Sequence, residues 1–264
     1  MVHFPKNYNG NEKLPLVFVL HGAGGNAEIM TEITKVNDLS DQENFIVVYP
    51  NGTGLFDNYM LSWNAGKCCN FFEPFEVDDV DFIRTLIDKI QEDYNVDSRK
   101  IYISGLSNGA MMTHRLGCEL ADKVSAIAPV AGSMMIGVCN PSDSLSVISF
   151  HGKEDTVVPF EGGFSDRWVV KLFDIDFNSV PESISFWVKH NECFNIPEKH
   201  TIDNVTKEVY TGGIDNTEVA FYTFSDYGHV WPGAGRGIFF IEDLPKDVIA
   251  TEIIWDFFKT HIKN

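Results

Sequence analysis

Strand-length apolar runs alternate with amphipathic helical stretches along this chain. That order constrains it to a largely parallel sheet covered on both faces. Leu16-Val-Phe-Val-Leu20 reads as a buried strand ending at His21-Gly-Ala-Gly-Gly25. Phe45-Ile-Val-Val-Tyr49 is the next, closed by Pro50-Asn-Gly-Thr-Gly54. Between Asp81 and Tyr94, the residues Phe82, Ile83, Leu86, Ile87 and Ile90 recur on one helical face. Ile101-Tyr-Ile-Ser104 then reads as a strand running straight into a helix that begins near Ser107. Val124 to Val130, Val147 to Phe150 and Val219 to Phe224 are further strands. Asp243 with Pro245 opens a last helix, turning Val248, Ile249, Ile253, Ile254, Phe257 and Phe258 inward. No repeat, low-complexity tract or linker divides the chain, so residues 1–264 read as one α/β domain.

Two long stretches, 51–76 and 160–181, interrupt the alternation, and loops of that length in a compact domain are usually functional. Both are rich in aromatics: Phe56, Tyr59, Trp63, Phe71, Phe72 and Phe75 in one, Phe160, Phe164, Trp168, Phe173 and Phe177 in the other. Most of these rings are expected to pack the loops themselves.

Charge and cysteine content narrow the function classes. Lys and Arg total 20 against 38 Asp and Glu, a net charge of −18 that would repel a polyanion, so nucleic acid is not an expected partner. No apolar run approaches the roughly 18 residues of a membrane span. Five cysteines, Cys68, Cys69, Cys118, Cys139 and Cys193, leave at least one thiol unpaired in a monomer. Their spacing fits no zinc pattern, and adjacent Cys68 and Cys69 seldom bond to each other given the geometry a disulfide needs. Met1 to Tyr8 holds no basic-then-apolar export signature, so either the protein is cytoplasmic or a signal has been removed.

Gly105-Leu106-Ser107-Asn108-Gly109 matches G-x-S-x-G, with a strand before it and a helix after it, the context this motif requires. A serine hydroxyl is a poor nucleophile until an imidazole takes its proton. The acid and histidine should follow in the order Ser, Asp, His. After Val147 to Phe150 comes His151-Gly-Lys-Glu-Asp155, which places Asp155 just past a strand end. Glu154 is the competing carboxylate, and it can simply face solvent. After Val219 to Phe224 comes Tyr227-Gly-His229-Val-Trp-Pro-Gly233, so His229 is the expected base. His21 and His151 lie in His-Gly turns and are expected to hold backbone. His114 and His190 fall on helices, and His3, His200 and His261 look peripheral. Donors for a tetrahedral oxyanion are expected from the backbone N–H of Asn108, after the nucleophile, and of Ala23 in the Gly-rich loop. Trp231 and Trp63 are candidate walls for an aromatic acyl group.

With these residues assembled, the chain resembles the polyhydroxybutyrate depolymerase and feruloyl esterase family of secreted α/β-hydrolases. The matching stretches are Leu16 to Asn26, Ser62-Trp-Asn with Cys68-Cys69, Val77-Asp-Asp-Val80, Val96-Asp97, Arg99 to Met112, His151-Gly with Asp155 and Val158-Pro159, and Gly228 to Gly233. The resemblance implies the α/β-hydrolase fold, a mostly parallel central sheet with helices on both faces. It implies Ser107, Asp155 and His229 in the roles above, no metal and no organic cofactor. It further implies export, with disulfides among Cys68, Cys69, Cys118 and Cys139. Cys193 matches another family position whose usual partner site, near Gly212-Gly213, is not cysteine, so that bridge is expected to be absent. The chain begins close to where the family's leading strands run, which leaves open whether an N-terminal segment is missing. No separate polyester-binding domain follows the last helix, which favours a soluble or oligomeric ester over a granule surface.

The expected activity is therefore serine-dependent hydrolysis of soluble plant-derived or short-chain carboxylic esters, feruloyl-esterase-like. Hydroxybutyrate-oligomer and acetyl xylan ester hydrolysis are the alternatives within the family. A catalytically silent binding scaffold is the alternative from another class. The expected partner is a small-molecule or oligomeric ester, without nucleic acid, membrane or an obligate protein partner.

Overall fold

The computed structural model describes residues 1–69, 77–234 and 248–263. In chain order its first elements are β1 (Val2–His3), β2 (Leu14–Leu20), α1 (Ala27–Thr34), α2 (Val36–Glu43) and β3 (Ile46–Val48). Next come the hairpin β4 (Thr53–Phe56) and β5 (Tyr59–Ser62), α3 (Asp79–Asp93), β6 (Val96–Leu106), α4 (Asn108–Glu119), β7 (Ala126–Val130) and β8 (Ser146–Gly152). Then follow β9 (Gly163–Phe164), α5 (Trp168–Lys171), β10 (Asp176–Phe177), α6 (Val180–His190), β11 (Glu198–Ile202), β12 (Val205–Tyr210), β13 (Val219–Phe224) and α7 (Ala250–Phe258).

Alternation along β2 decides the layers. Leu16, Phe18 and Leu20 enter one apolar core with Ile83 and Ile87 of α3, Met112 and Leu116 of α4, and Ile184 and Trp187 of α6. Val17 and Val19 point to the opposite face, where Met30 of α1, Val36 of α2, and Ile254 and Phe258 of α7 form a second core. A strand buried on both sides has no polar face, which is why these runs read as continuous apolar stretches. Each buried Leu, Ile or Phe contributes about 1.5–3 kcal/mol relative to exposure.

Among the described residues, nine strands pair in the order β1-β3-β2-β6-β7-β8-β13-β12-β11. The central pairs are parallel, and the outermost, β1–β3, β12–β13 and β11–β12, are antiparallel. Registers align Leu106, Val130, Phe150 and Tyr222 across β6, β7, β8 and β13. Ser107 is one residue past this row, Asp155 five and His229 seven, so all three leave the carboxyl edge of one four-strand block.

The expected strands are present, with Val219 to Phe224 at the predicted bounds and β6 beginning five residues earlier, at Val96. The two irregular stretches contain short structure of their own, β4–β5 in the first and β9, α5 and β10 in the second. Phe71, Phe72 and Phe75, and the Asp243–Pro245 opening of the last helix, lie outside the described residues.

Two disulfides are present, Cys118–Cys139 and Cys68–Cys69. The second corrects the expectation from adjacency: Cys69 takes a positive φ of 84°, and its loop turns both sulfurs together. Cys193 is a buried free thiol. A Cβ on Gly213 would sit 2.9 Å from its Sγ, so the position where a partner is missing does face it.

Candidate active site

Ser107 joins β6 to α4 with φ 59° and ψ −119°, a backbone region costly for any residue carrying a Cβ. Hydrogen bonds hold it there: the Ser107 N–H donates to Val130 O on β7 at 2.9 Å, and its carbonyl accepts the Met111 N–H at 3.0 Å. The flanking glycines serve close approach. A Cβ on Gly105 would fall 2.4 Å from Gly109 O, and one on Gly109 would fall 2.5 Å from Leu20 O. The strain therefore sits on the serine, and the glycines let β6, α4 and β2 meet behind it.

Asp155 is buried in the loop after β8, and both oxygens of its carboxylate accept hydrogen bonds. Oδ1 accepts the backbone N–H of Val157 at 2.8 Å and of Val158 at 2.9 Å. Oδ2 lies 2.7 Å from His229 Nδ1 and 3.3 Å from His151 Nε2. Burial works to raise this carboxyl. The facing imidazoles of His229 and His151 outweigh it and hold the group well below the usual carboxylate range.

His229 reaches this carboxylate because two loops are joined edge to edge. Lys153 N–H donates to Phe224 O at 2.8 Å and Glu154 N–H to Tyr227 O at 3.1 Å. The Glu154 side chain is exposed, and the imidazole meets Asp155 instead. With Nδ1–H given to a carboxylate, His229 keeps Nε2 as a free lone pair. Its side chain retains 11% exposure, and Ser107 is half-buried on the same sheet edge. A hydrogen bond joins Asp155 to His229 and none joins His229 to Ser107 Oγ, a kind of contact that commonly tightens only when substrate arrives.

The Gly-rich loop lies against the serine: a Cβ on Gly22 would come within 3.2 Å of Ser107 Cβ. His21 fixes this loop. Its Nε2 accepts the Gly52 N–H at 3.0 Å, so Nδ1 carries the proton and donates to Gly22 O at 2.9 Å. Burial lowers His21 to about 4 and keeps it neutral. Gly25 N–H also donates to Gly22 O, at 3.0 Å. In a planar trans peptide the N–H opposes the C=O, so the Ala23 N–H points away from both donors.

Asn108 is tied to the same loop. Its Oδ1 accepts the Trp63 N–H at 2.7 Å, and its Nδ2 donates to Trp63 O at 3.0 Å. The Trp63 indole N–H then donates to His21 O at 2.9 Å. The two segments expected to supply oxyanion donors are thus braced through one tryptophan.

That brace corrects the reading of Trp63 as a wall for substrate, since its side chain has no exposure. Trp231 is likewise buried, and its indole N–H donates to Thr251 Oγ1 at 3.0 Å, which in turn donates to Thr34 O at 2.7 Å. Both indoles pack structure because each has its single polar atom satisfied inside the protein. His151, assigned only to backbone from the sequence, does bind Val158 O at 2.9 Å but also faces Asp155. Its position four residues before the acid, at the end of β8, is the signal that could have marked it.

The sequence profile of a family described as esterase PHB depolymerase matches residues 3–162. Feruloyl esterase B of Piromyces equi is 30% identical over 87% of this chain and 42% of its own length. The bifunctional acetylxylan esterase/xylanase XynS20E of Neocallimastix patriciarum is 29% identical over 61% of this chain and 22% of its own length. The chain thus spans less than half of either relative. Among solved structures, an acetyl xylan esterase from Aspergillus awamori superposes with a TM-score of 0.62 at 16% identity, covering 87% of this chain and 88% of that one. At that identity the likeness concerns the fold, which is the α/β-hydrolase fold. A profile match over more than half the chain, backed by a relative aligned along most of it, places this protein in the esterase PHB depolymerase family.

Proposed function

We propose that this chain is a serine-dependent carboxylic ester hydrolase with Ser107 as nucleophile, His229 as general base and acid, and Asp155 as its partner. The observation that carries this reading is the 2.7 Å Asp155–His229 hydrogen bond, which leaves Nε2 free on the sheet edge that holds the strained serine. Ser107 Oγ attacks the ester carbonyl as His229 Nε2 takes its proton. The amide N–H groups of Ala23 and Asn108 receive the oxyanion. The imidazolium, stabilised by buried Asp155, returns its proton to the leaving alkoxide. Water, activated by the same nitrogen, then releases the acid from the acyl-enzyme.

Feruloyl and short-chain esters of plant origin are the proposed substrates, supported by the names of the relatives. With Trp63 and Trp231 buried, no side chain singled out from the sequence supplies an aromatic acyl wall. Acetyl xylan and hydroxybutyrate oligomers are therefore the comparisons to make in a kcat/KM panel with methyl ferulate. The two disulfides support an exported protein, because such bonds persist in oxidising compartments.

Ser107→Ala is expected to fold and to lose roughly a thousandfold or more of kcat on p-nitrophenyl acetate. Wild type should bind one fluorophosphonate covalently, and the variant none. Full turnover by Ser107→Ala would overturn the assignment.

A further inference from the structure

Asp155 is approached by two imidazoles on one oxygen, and only one of them has a place in the mechanism above. His151 Nε2 lies 2.9 Å from Val158 O and 3.3 Å from Asp155 Oδ2. A carbonyl and an ionised carboxylate are both acceptors, so Nε2 must carry the proton, and a neutral ring then has a bare Nδ1. That Nδ1 is buried without a hydrogen-bond partner, an arrangement that costs stability. The ring has no side-chain exposure and cannot touch substrate. A side chain serving only to pin Val158 would not need its Nε2 within 3.3 Å of the oxygen that serves His229.

We infer that His151 is a positioning residue for the reaction: it holds Asp155 Oδ2 opposite His229 and takes part of the carboxylate's charge, which would otherwise bind the His229 imidazolium alone. The inference rests on the hydrolase reading. Two amides donate to Oδ1, His229 donates to Oδ2, and His151 Nε2 stands 3.3 Å from that same oxygen. This arrangement fixes the carboxylate's plane and tempers its basicity toward the catalytic imidazole.

Among the described residues, few titratable groups surround His151. Asp155 faces it from its own loop, with His229 beyond on the loop after β13. From α4 comes His114, which burial lowers to about 3 despite the Gly132 backbone, with proximity to His151 adding to the decrease. His114 Nδ1 accepts the Trp187 indole N–H at 3.0 Å, so α6 contributes no charge there. Phe160 packs its ring against the imidazole. A change in the pH profile on altering His151 would therefore report on Asp155 and His229.

The test compares His151→Leu, which removes the donor, with His151→Gln, whose amide nitrogen occupies the place of Nε2. Activity is measured as kcat/KM against pH on p-nitrophenyl acetate and normalised to fluorophosphonate-titrated sites. In His151→Leu the carboxylate acts on His229 alone, so the imidazole holds its proton to higher pH. The acid limb should move up by about 0.5–1 pH unit, a loss of roughly three- to tenfold on the acid side that recovers toward alkaline pH. KM should not change, and His151→Gln should follow the wild-type profile. A uniform, pH-independent loss in His151→Leu, or an equal shift in His151→Gln, would overturn the inference while leaving the hydrolase assignment intact. A fully active Ser107→Ala would instead remove the assignment itself. Should His151→Leu not fold, ¹⁵N spectra of the wild-type imidazoles decide: a protonated Nε2 and bare Nδ1 at His151 are required, and the reverse tautomer ends the proposal.

Discussion

Asp79 shows how a single buried group can trade stability for loop placement. Its Oδ2 accepts the Asn64 N–H at 2.7 Å, while Arg115 Nη1 donates to Asn64 O at 2.6 Å and to Asn64 Oδ1 at 3.0 Å. These bonds hold the residue after Trp63, and through Trp63 they support Asn108. Burial pushes Asp79 up to about 6, against the pull of the Asn64 amide and Arg115. A raised carboxyl favours the folded state most fully below its unfolded value of 3.8, and that contribution is lost as pH rises through about 6. Asp79→Asn keeps an acceptor for the Asn64 amide without the charge. Urea unfolding should show a gain of roughly 1–3 kcal/mol at pH 8 and almost none at pH 4. Equal changes at both pH values would refute the assignment of this cost to the charge.

Helix α4 carries the site at one end and a covalent tie at the other. Cys118 lies ten residues beyond Asn108, about 15 Å along the axis, and bonds to Cys139 across a 21-residue separation. Closing a loop of that size removes chain entropy worth about 3 kcal/mol in the unfolded state. Cys118→Ser with Cys139→Ser should lower unfolding free energy by about that amount and leave kcat/KM close to wild type. A large loss of kcat in folded protein would mean that the tie positions the Ser107 turn between β6 and α4. The same helix shows what was legible in the sequence. Its junction with β6 was readable because a buried strand, a serine between glycines and a helix follow without a gap. The hairpin β11–β12 was not read, because its strands carry no buried face: β11 is exposed along its length and β12 half-buried throughout. The order Ser, Asp, His, each just past a strand end, made Ser107, Asp155 and His229 the candidates, and a hydrogen bond joins the last two. It did not reveal that Trp63 and Trp231 point inward, since an indole in a loop has no periodicity to indicate its direction. His151 escaped for a similar reason, because a His-Gly turn does not show which acceptor the second ring nitrogen meets.

At the scale of the whole molecule, the buried imidazoles of His21 and His114 shape the acid response. Burial lowers His21 to about 4 and His114 to about 3, from 6.5 in an unfolded chain. For such groups the folded state binds fewer protons, so their contribution is complete above pH 6.5 and lost as pH falls toward these values. Asp79 acts in the opposite direction over part of the same range, but it is one group against two. The urea midpoint should therefore fall from pH 7 to pH 4, and a flat profile would show that these imidazoles are not held neutral. The two ends of the parallel strands also differ in use. Lys263 N–H donates to Arg99 O, and its ammonium reaches Ala121 O at 2.6 Å and Asp143 at 2.8 Å, all near the starts of β6, β7 and β8. A solid support coupled at that lysine would sit at the rim opposite Ser107, Asp155 and His229. Tethering there would leave the approach of a bulky polymer unobstructed.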